Sequence, residues 1–350
     1  MDADLLGSSA SNQKFPSFPL AELHAHLGTS ISPATLWQIA HDLGFKLPKN
    51  DYNDFARYIM LSSERRMTLE DYFDKIYHPL LDGLSSGTHA VEQATYHGMI
   101  GAYRSQGITL LELRNNPMKH NSNARLDLDY IIMAMLRGME RALLEYKDLR
   151  AGLIFCMGRE FSVKQNAIII EKAIKYHNRG VVGIDVAGPA SSGFKFSEYE
   201  QLFKRAKKAG LHVTVHSGEN RSTNDMWEAL KYAQPERFGH GIYAAYDEKL
   251  MKEIVRRGIV LEVCPMSNIA TKAVKDAAEM KHILRTLVDN KVKFCINTDW
   301  PEVIEGCHLR QQLAMLRDEG MLSEEEIAAC NKIAFEASFV PQKGGLDAYL

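Results

Sequence analysis

Two histidines separated by a single residue, His24 and His26, form the first pattern in the chain that could do chemistry. They end an apolar run, and side chains two residues apart on a strand point the same way. Both imidazoles are therefore expected on one face, where neutral imidazole is a good ligand for zinc and similar divalent ions. Two unrelated histidines at a strand end would give the same pattern, so the pair alone leaves both interpretations open.

His216 and Asp299 extend this pattern, because each of them ends another apolar run. Three imidazole nitrogens and one carboxylate oxygen form a donor set that suits a catalytic zinc ion with a position left for water. The sequence therefore predicts one metal ion, held by His24, His26, His216 and Asp299.

Further candidates for chemistry stand at other run ends. Glu219 follows His216 by three residues, and a carboxyl group beside a metal can donate or accept a proton, although acids near helix starts are common. His240 lies between two glycines, where the backbone can turn tightly and bring the ring close to a ligand. Gly188 either lets a substrate approach the main chain or forms a simple turn before Pro189.

Two polar residues and two arginines complete the candidates. Ser267 and Asn268 follow a proline, and we expect them to hold Asp299 through hydrogen bonds, although both are ordinary loop residues. Arg114 and Arg159 also end apolar runs, where each either binds an anion or forms a salt bridge.

The elements that must position these residues are eight short apolar runs that alternate with longer segments of helical spacing. Several runs are nearly continuous in Val, Ile, Leu and Phe, which is typical of parallel strands covered on both faces. They are Pro19–Leu27, Ile108–Leu113, Ala151–Met157, Val181–Ala187, Leu211–His216, Arg237–Ile242, Ile259–Val263 and Lys293–Asn297. The alternation predicts an α/β fold, a (β/α)8 TIM barrel with reactive side chains at the C-terminal ends of its strands. An open doubly wound sheet is the alternative, but no GxGxxG string follows any run.

The stretch between the first two runs is too long for one barrel helix. Residues 33–44, 51–61, 68–82 and 88–105 have helical patterns. We therefore expect a helical insertion after the first strand, over about residues 28–107, that forms a lid over the active face. We further expect a flexible leader over residues 1–18 and a single domain over 19–350. Ser323 and Glu326 have the spacing of a capping box that begins a C-terminal helix.

Composition excludes several classes of protein. The 42 Lys and Arg residues balance 44 Asp and Glu residues, so the net charge of −2 argues against nucleic-acid binding. No apolar run is long enough to span a membrane. The five cysteines are scattered without a CxxC pair, so neither a disulfide framework nor a structural zinc finger is expected. The N-terminus lacks the basic start and apolar core of a signal peptide, and a cytoplasmic location is therefore expected.

In this order, the run-end strings resemble the adenosine deaminase family of the amidohydrolase superfamily. The resemblance extends from ELHAHL at Glu22–Leu27 to NTDWP at Asn297–Pro301, and on to the closing segment Asn331–Pro341. Each string alone is weak, but HxH, HSGE, GHG, CPMSN and NTD together are specific.

The resemblance implies a (β/α)8 barrel that hydrolyses the amino group from an adenine-type ring and releases ammonia. It implies one zinc ion per chain, which lowers the pKa of a bound water. The implied metal ligands are His24, His26, His216 and Asp299. Glu219 falls on the acid that protonates ring nitrogen N1 of the substrate. His240 falls on the residue that orients the water and helps to deprotonate it. Gly188 falls on a main-chain contact to ring nitrogen N3. The fourth run ends without the modified lysine that two-metal relatives use, so one metal is favoured.

Two positions depart from the family pattern. Trp300 stands where family members carry a second Asp after the metal-binding Asp, and it either stacks on the substrate or packs beneath the lid. Gly28 stands where the family carries the Asp that binds the ribose 5′-hydroxyl. Both are therefore candidate substrate-binding positions at which the specificity differs.

The expected function is zinc-dependent deamination of an adenine nucleoside, with a small purine-type molecule as the partner. The same chemistry on a 5′-substituted adenosine, an N6-modified AMP or another amino-heterocycle such as a pterin is the alternative. A barrel that binds a nucleoside without turning it over is the alternative from another class.

Overall fold

A computed structural model describes residues 15–62, 65, 67, 69–121, 125–189, 193–342 and 349, so most of the expected leader lies outside the described residues. Eight parallel strands follow one another around the sheet in chain order. They are β1 (Leu20–His26), β2 (Ile108–Asn115), β3 (Arg150–Gly158), β4 (Val181–Ala187), β5 (His212–Ser217), β6 (Arg237–His240), β7 (Val260–Val263) and β8 (Phe294–Ile296). Every predicted strand is present with its ends within two residues. The predicted (β/α)8 barrel is confirmed, and the open sheet is excluded.

The ring of strands closes through Asp299, just beyond β8. Its amide N donates to the carbonyl of His24 at 2.8 Å, and its carbonyl accepts from the amide of His26 at 3.3 Å. The closing contact between the first and last strands therefore consists of the backbone of three candidate metal ligands.

Helices surround the barrel and alternate with its strands. The outer helices are α5 (Thr88–Gln106), α6 (Leu128–Glu145), α7 (Val163–Lys175), α8 (Glu200–Lys208), α9 (Asn224–Tyr232), α10 (Glu248–Arg257), α11 (Pro265–Ala270), α12 (Ala277–Asp289), α13 (Leu309–Asp318) and α14 (Glu324–Ala337). The predicted capping box of α14 is present, since Ser323 and Glu326 bond reciprocally. Gly258 ends α10 in the left-handed conformation at a φ of 69°, where glycine avoids a side-chain clash.

The insertion after β1 contains α1 (Pro33–Asp42), α2 (Tyr52–Ile59), α3 (Leu69–Tyr72), a π-helix (Phe73–Leu81) and α4 (Asp82–Leu84). α5 packs against β2 and α6 and is therefore the outer helix of the first strand–helix unit. Leu61 attaches the insertion to the segment after β8, because its amide donates to Val303 at 2.7 Å and its carbonyl accepts from Glu305 at 2.9 Å. A nine-residue π-helix that contains Pro79 is unusual, and π-helical turns are frequent at functional sites.

The barrel interior contains a column of buried charges. Arg237 bonds Glu112 with two nitrogens and reaches Glu262 Oε1 at 2.7 Å. Glu262 and Asp185 both contact Arg114, at 2.7 and 3.0 Å. All five side chains are fully or almost fully buried. Because each buried charge is paired with its opposite, the column is stable only as a complete set.

Two further observations concern the chain as a whole. All five cysteines are free and buried, in agreement with the expectation of no disulfides. Among the described helices, none combines the length and apolar character needed to cross a bilayer.

We predict that Arg237→Met lowers the free energy of unfolding by about 3–5 kcal/mol, because it leaves buried carboxylates without their cation. Urea unfolding followed by circular dichroism measures this loss. The control is Arg179→Met, which removes a half-exposed ion pair with Glu140 and should cost less than about 1 kcal/mol. Equal small losses in both variants would contradict a stabilising role for the column.

Candidate metal centre and active site

The C-terminal ends of the strands bring the predicted metal ligands together. Atoms of His24, His216, His240 and Asp299 that could bind a metal all lie within 4.8 Å of one another. His26 joins them, since its Nε2 lies 3.0 Å from His216 Nε2 and 3.3 Å from Asp299 Oδ1. Residues separated by up to 275 positions therefore surround one point at the barrel mouth.

Two buried carboxylates orient two of the imidazoles. His24 Nδ1 lies 2.8 Å from Glu262 Oε2, and His216 Nδ1 lies 2.8 Å from Asp185 Oδ2. The Glu262 contact is a hydrogen bond, whereas the Asp185 contact is an ion-pair distance only. A carboxylate bonded at Nδ1 keeps the proton there and leaves the Nε2 lone pair free for a metal. His24 Nε2 is buried and has no hydrogen-bond partner among the described residues. An unpartnered buried nitrogen that faces a carboxylate and two more imidazoles fits a divalent ion.

The electrostatics of the cluster also fit a bound divalent cation. Burial lowers the pKa of His24 and of His26 well below the usual value, and neighbouring charged groups including Arg114 lower it further, so both rings are neutral as metal ligands must be. Burial raises the pKa of Asp299. A bound cation would offset the cost of burying this carboxylate in its charged form.

Arg114 connects the two orienting carboxylates. Burial alone would raise the pKa of Asp185, but His216 and Arg114 outweigh it and hold that pKa far below the usual value. The guanidinium also donates to the carbonyl of Leu23 at 2.6 Å. Of the two interpretations of Arg114, the structure supports the salt bridge. Arg159 is likewise paired, with Asp225 at 2.6 Å.

Asp299 and His240 have a left-handed backbone, with φ values of 63° and 60°. Non-glycine residues seldom adopt this conformation, and such residues concentrate at functional sites. Ser267 donates to Asp299 Oδ2 at 2.6 Å, as we expected from its position. Gly239 lies next to His240, and a Cβ atom there would come within 2.8 Å of the His24 ring.

Glu219 and His240 stand beside the cluster, with Glu219 Oε2 3.5 Å from His240 Nε2. We expected Asn268 to hold Asp299, but it contacts Glu219 and His240 instead. The Nδ2 atom of Asn268 lies at 3.0 Å from His240 Nδ1 and at 3.4 Å from Glu219 Oε1. Burial raises the pKa of Glu219 and lowers that of His240 to about 4. Near pH 7 the carboxyl group therefore holds its proton more readily than usual, whereas the imidazole is neutral.

The candidate substrate-contact positions differ in their surroundings. Gly188 has a φ of 111°, and a Cβ atom there would lie 2.5 Å from Glu160 Oε2, so only glycine fits. A Cβ atom at Gly28 would lie 2.1 Å from the hydroxyl oxygen of Tyr77. The phenol of Tyr77 therefore fills the space where a side chain at position 28 would be.

Trp300 lies beneath the insertion. It is 4% exposed, and its ring contacts those of Tyr72 and Phe73 at centroid distances of 5.1 and 5.5 Å. These contacts support packing of Trp300 under the inserted helices, and its contact with a substrate stays a prediction.

The sequence pattern of the adenosine deaminase family matches residues 19–347. The chain belongs to the adenosine deaminase family. Members of this family are deaminating hydrolases, so the predicted enzyme class and reaction are confirmed.

Three known proteins are similar to this chain in sequence or in fold. An adenosine deaminase of Shewanella loihica is 29% identical over 93% of this chain and 95% of its own length. The N6-methyl-AMP deaminase of Arabidopsis thaliana shares the fold with a TM-score of 0.76 at 24% identity, over 93% of both chains. An amidohydrolase of Burkholderia ambifaria, crystallised with bound zinc, has a TM-score of 0.81 at 17% identity, over 96% of this chain and 90% of its own.

Sequence reasoning missed three residues that shape the site of this deaminase, Asp185, Glu262 and Tyr77. The first two had a signal, because an acidic residue within an otherwise apolar buried strand must have a buried partner. Tyr77 had none, because its position above Gly28 depends on how the insertion packs on the barrel.

We predict that His216→Ala and Asp299→Ala each reduce the bound divalent metal of the purified deaminase to less than about a tenth of an equivalent, because each removes one of four donors. Elemental analysis by mass spectrometry measures the metal. The control is His212→Ala on the same strand, whose half-exposed ring faces Glu236 outside the site and which should keep one equivalent. Full occupancy in the double variant of His216 and Asp299 would refute the ligand assignment.

Proposed function

We propose that the protein is a zinc-dependent hydrolase that replaces the 6-amino group of an adenine nucleoside, or of its 5′-substituted form, with an oxo group. The observation that carries this proposal is the convergence of the donor cluster with Glu219 and His240 at the barrel mouth. A metal site, an acid with a raised pKa and a neutral base within contact distance are the groups that hydrolysis of an aromatic amine requires.

The metal would be held by His24, His26, His216 and Asp299. When bound, a zinc ion supplies a Lewis acid that brings the pKa of a water molecule close to neutrality. His240 belongs to the same cluster of possible donors. We place it with the proton-transfer groups because Asn268 and Glu219 already surround its two nitrogens.

Glu219 would supply the proton that the ring nitrogen next to the amino-bearing carbon needs. Attack by water on that carbon pushes electrons onto the ring nitrogen, and a proton delivered there relieves the charge. Burial raises the pKa of Glu219, so the acid form persists to higher pH than for an exposed carboxyl group.

His240 would accept a proton from the attacking water. Burial keeps its imidazole neutral at pH 7, as this role requires. Asn268 contacts both groups and would fix their relative position. His240 would then pass this proton to the amino nitrogen, so that the carbon–nitrogen bond breaks and ammonia leaves. The proton left on the added oxygen would return to Glu219, and an oxo product remains. Gly188 would receive the ring at its main chain, because no side chain there blocks the approach.

Of these two substrates, the site favours a 5′-substituted adenosine, such as a nucleoside monophosphate. Position 28 carries no carboxylate, so an anionic 5′ group meets no repulsion from it. The likeness of this fold to that of an N6-methyl-AMP deaminase is compatible with such a substrate.

We expect Glu219→Gln to bind metal normally but to lose roughly 10²–10⁴-fold in kcat, because the amide keeps the shape without the transferable proton. Ammonia release measured alongside metal content tests this, with the exposed Glu228→Gln as the control variant. A rate within about threefold of the parent would remove Glu219 from the mechanism.

A panel of adenosine, deoxyadenosine, adenine, AMP, N6-methyl-AMP and pterins tests the substrate. We predict a kcat/KM at least about tenfold higher for a 5′-substituted adenosine than for adenosine, since the site lacks the acidic contact to a free 5′-hydroxyl. Adenosine as the best substrate at about 10⁶ M⁻¹s⁻¹ would contradict this preference. Nucleoside binding with full metal content and no turnover of any compound would instead favour the barrel that only binds.

A further inference from the structure

The hydroxyl of Tyr77 is a polar group at the barrel mouth that the proposed chemistry does not use. The π-helix presents it above Gly28, two residues beyond the candidate ligand His26. The Tyr77 ring packs edge-on against Phe73, which in turn contacts Trp300. Aromatic packing thus fixes the phenol in place beside the metal-binding strand end.

The Tyr77 side chain is half-buried, and its hydroxyl has no hydrogen-bond partner among the described residues. Burial raises the pKa of Tyr77, and Asp82, Tyr72 and Cys156 raise it further, so the group stays a neutral O–H donor. Cys156 belongs to the barrel interior, where its thiol lies 3.7 Å from Asp185. The phenol therefore lies close enough to this thiol for the two groups to interact electrostatically.

Asn116 carries a second free donor just beyond the end of β2, the strand that pairs with β1. His26 of β1 and Arg114 of β2 are paired in the sheet, and Gly28 and Asn116 each lie two residues farther along. The Oδ1 atom of Asn116 accepts from the amide of Met118 at 3.0 Å, which orients the side chain. Its Nδ2 is buried and has no partner within the described part of the chain.

Lys119 supplies a positive charge in the same turn. Its amide donates to the carbonyl of Asn116 at 3.1 Å. The ammonium contacts Glu160 Oε1 at 2.7 Å, and about a third of the side chain stays exposed. An ammonium has three donors, so contact with one carboxylate leaves others for a ligand.

We propose that Tyr77, Asn116 and Lys119 bind the 5′-phosphate of a purine nucleoside monophosphate. This proposal rests on the proposed function and adds the group that selects the substrate. A ring bound with its amino-bearing carbon at the metal would extend its sugar away from the metal. Gly188, where the ring would meet the main chain, borders Glu160, which is the ion-pair partner of Lys119.

The chemistry of the three groups favours a phosphate over a hydroxyl. Tyr77, Asn116 and Lys119 provide an O–H, an amide N–H and an ammonium, and phosphate oxygens accept hydrogen bonds from all of them. A carboxylate at position 28 would repel the phosphate, but the space is filled by a phenol. The Nδ2 of Asn116 is a buried donor without a partner among the described residues, which is costly, and a ligand oxygen would satisfy it.

Product binding tests the proposal without depending on turnover. Calorimetric titration of the metal-loaded protein with IMP and with inosine compares ligands that differ only in the phosphate. The variants are Tyr77→Phe, which removes one hydroxyl, Asn116→Asp, which keeps the acceptor for Met118 but replaces the donor with a negative charge, and Lys119→Met. The matched control is Tyr130→Phe on the exposed face of α6.

We expect the parent and the Tyr130→Phe variant to bind IMP at least tenfold more tightly than inosine. Tyr77→Phe, Asn116→Asp and Lys119→Met should each weaken IMP binding by about 10-fold or more, as expected for a lost hydrogen bond to a charged group, and leave inosine within about threefold. Unchanged inosine binding also shows that the pocket is intact.

Equal binding of IMP and inosine by the parent, or equal losses for both ligands in the variants, would overturn the phosphate assignment. These results would leave the deaminase proposal standing as long as the parent still releases ammonia from adenosine. A parent that binds neither product and deaminates no purine would instead refute the proposed function itself.

Discussion

The fully buried guanidinium of Arg114 is the interaction on which the rest of the site depends. It lies between Asp185 and Glu262, and these two carboxylates orient His216 and His24. Without the cation, two negative charges would be buried close together, and one of them would take up a proton. A protonated carboxyl group would hold its histidine less firmly, so the geometry of the candidate metal ligands depends on this buried cation.

The closed barrel brings the histidines that these carboxylates contact to one end, together with Asp299. Parallel strands end at one face, so side chains from β1, β5 and the segment after β8 meet although they are far apart in the chain. Asp299 has two functions there, because its backbone closes the barrel against β1 while its carboxylate faces the histidines. Its left-handed backbone is maintained because hydrogen bonds hold it on both sides.

Sequence reasoning predicted the strands and the ligand cluster because both follow from local rules. Alternation along a strand places His24 and His26 on one face, and the parallel strands of a barrel bring His216 and Asp299 to the same end. It did not predict that Asn268 contacts Glu219 and His240, since a shift of one residue along a short helix changes which group a side chain meets. The location of Tyr77 above Gly28 was equally inaccessible, because it depends on a π-helix and on the packing of the insertion, and neither has a local signature in the sequence.

The central claim is that water replaces a purine amino group at this cluster. Incubation of the metal-loaded protein with AMP and adenosine in ¹⁸O-labelled water, followed by mass spectrometry of the product and an ammonia assay, tests it most directly. The account predicts one ¹⁸O atom in the purine ring product for each ammonia released. Ammonia release without the label, or no ammonia release from a protein with full metal content, would contradict it.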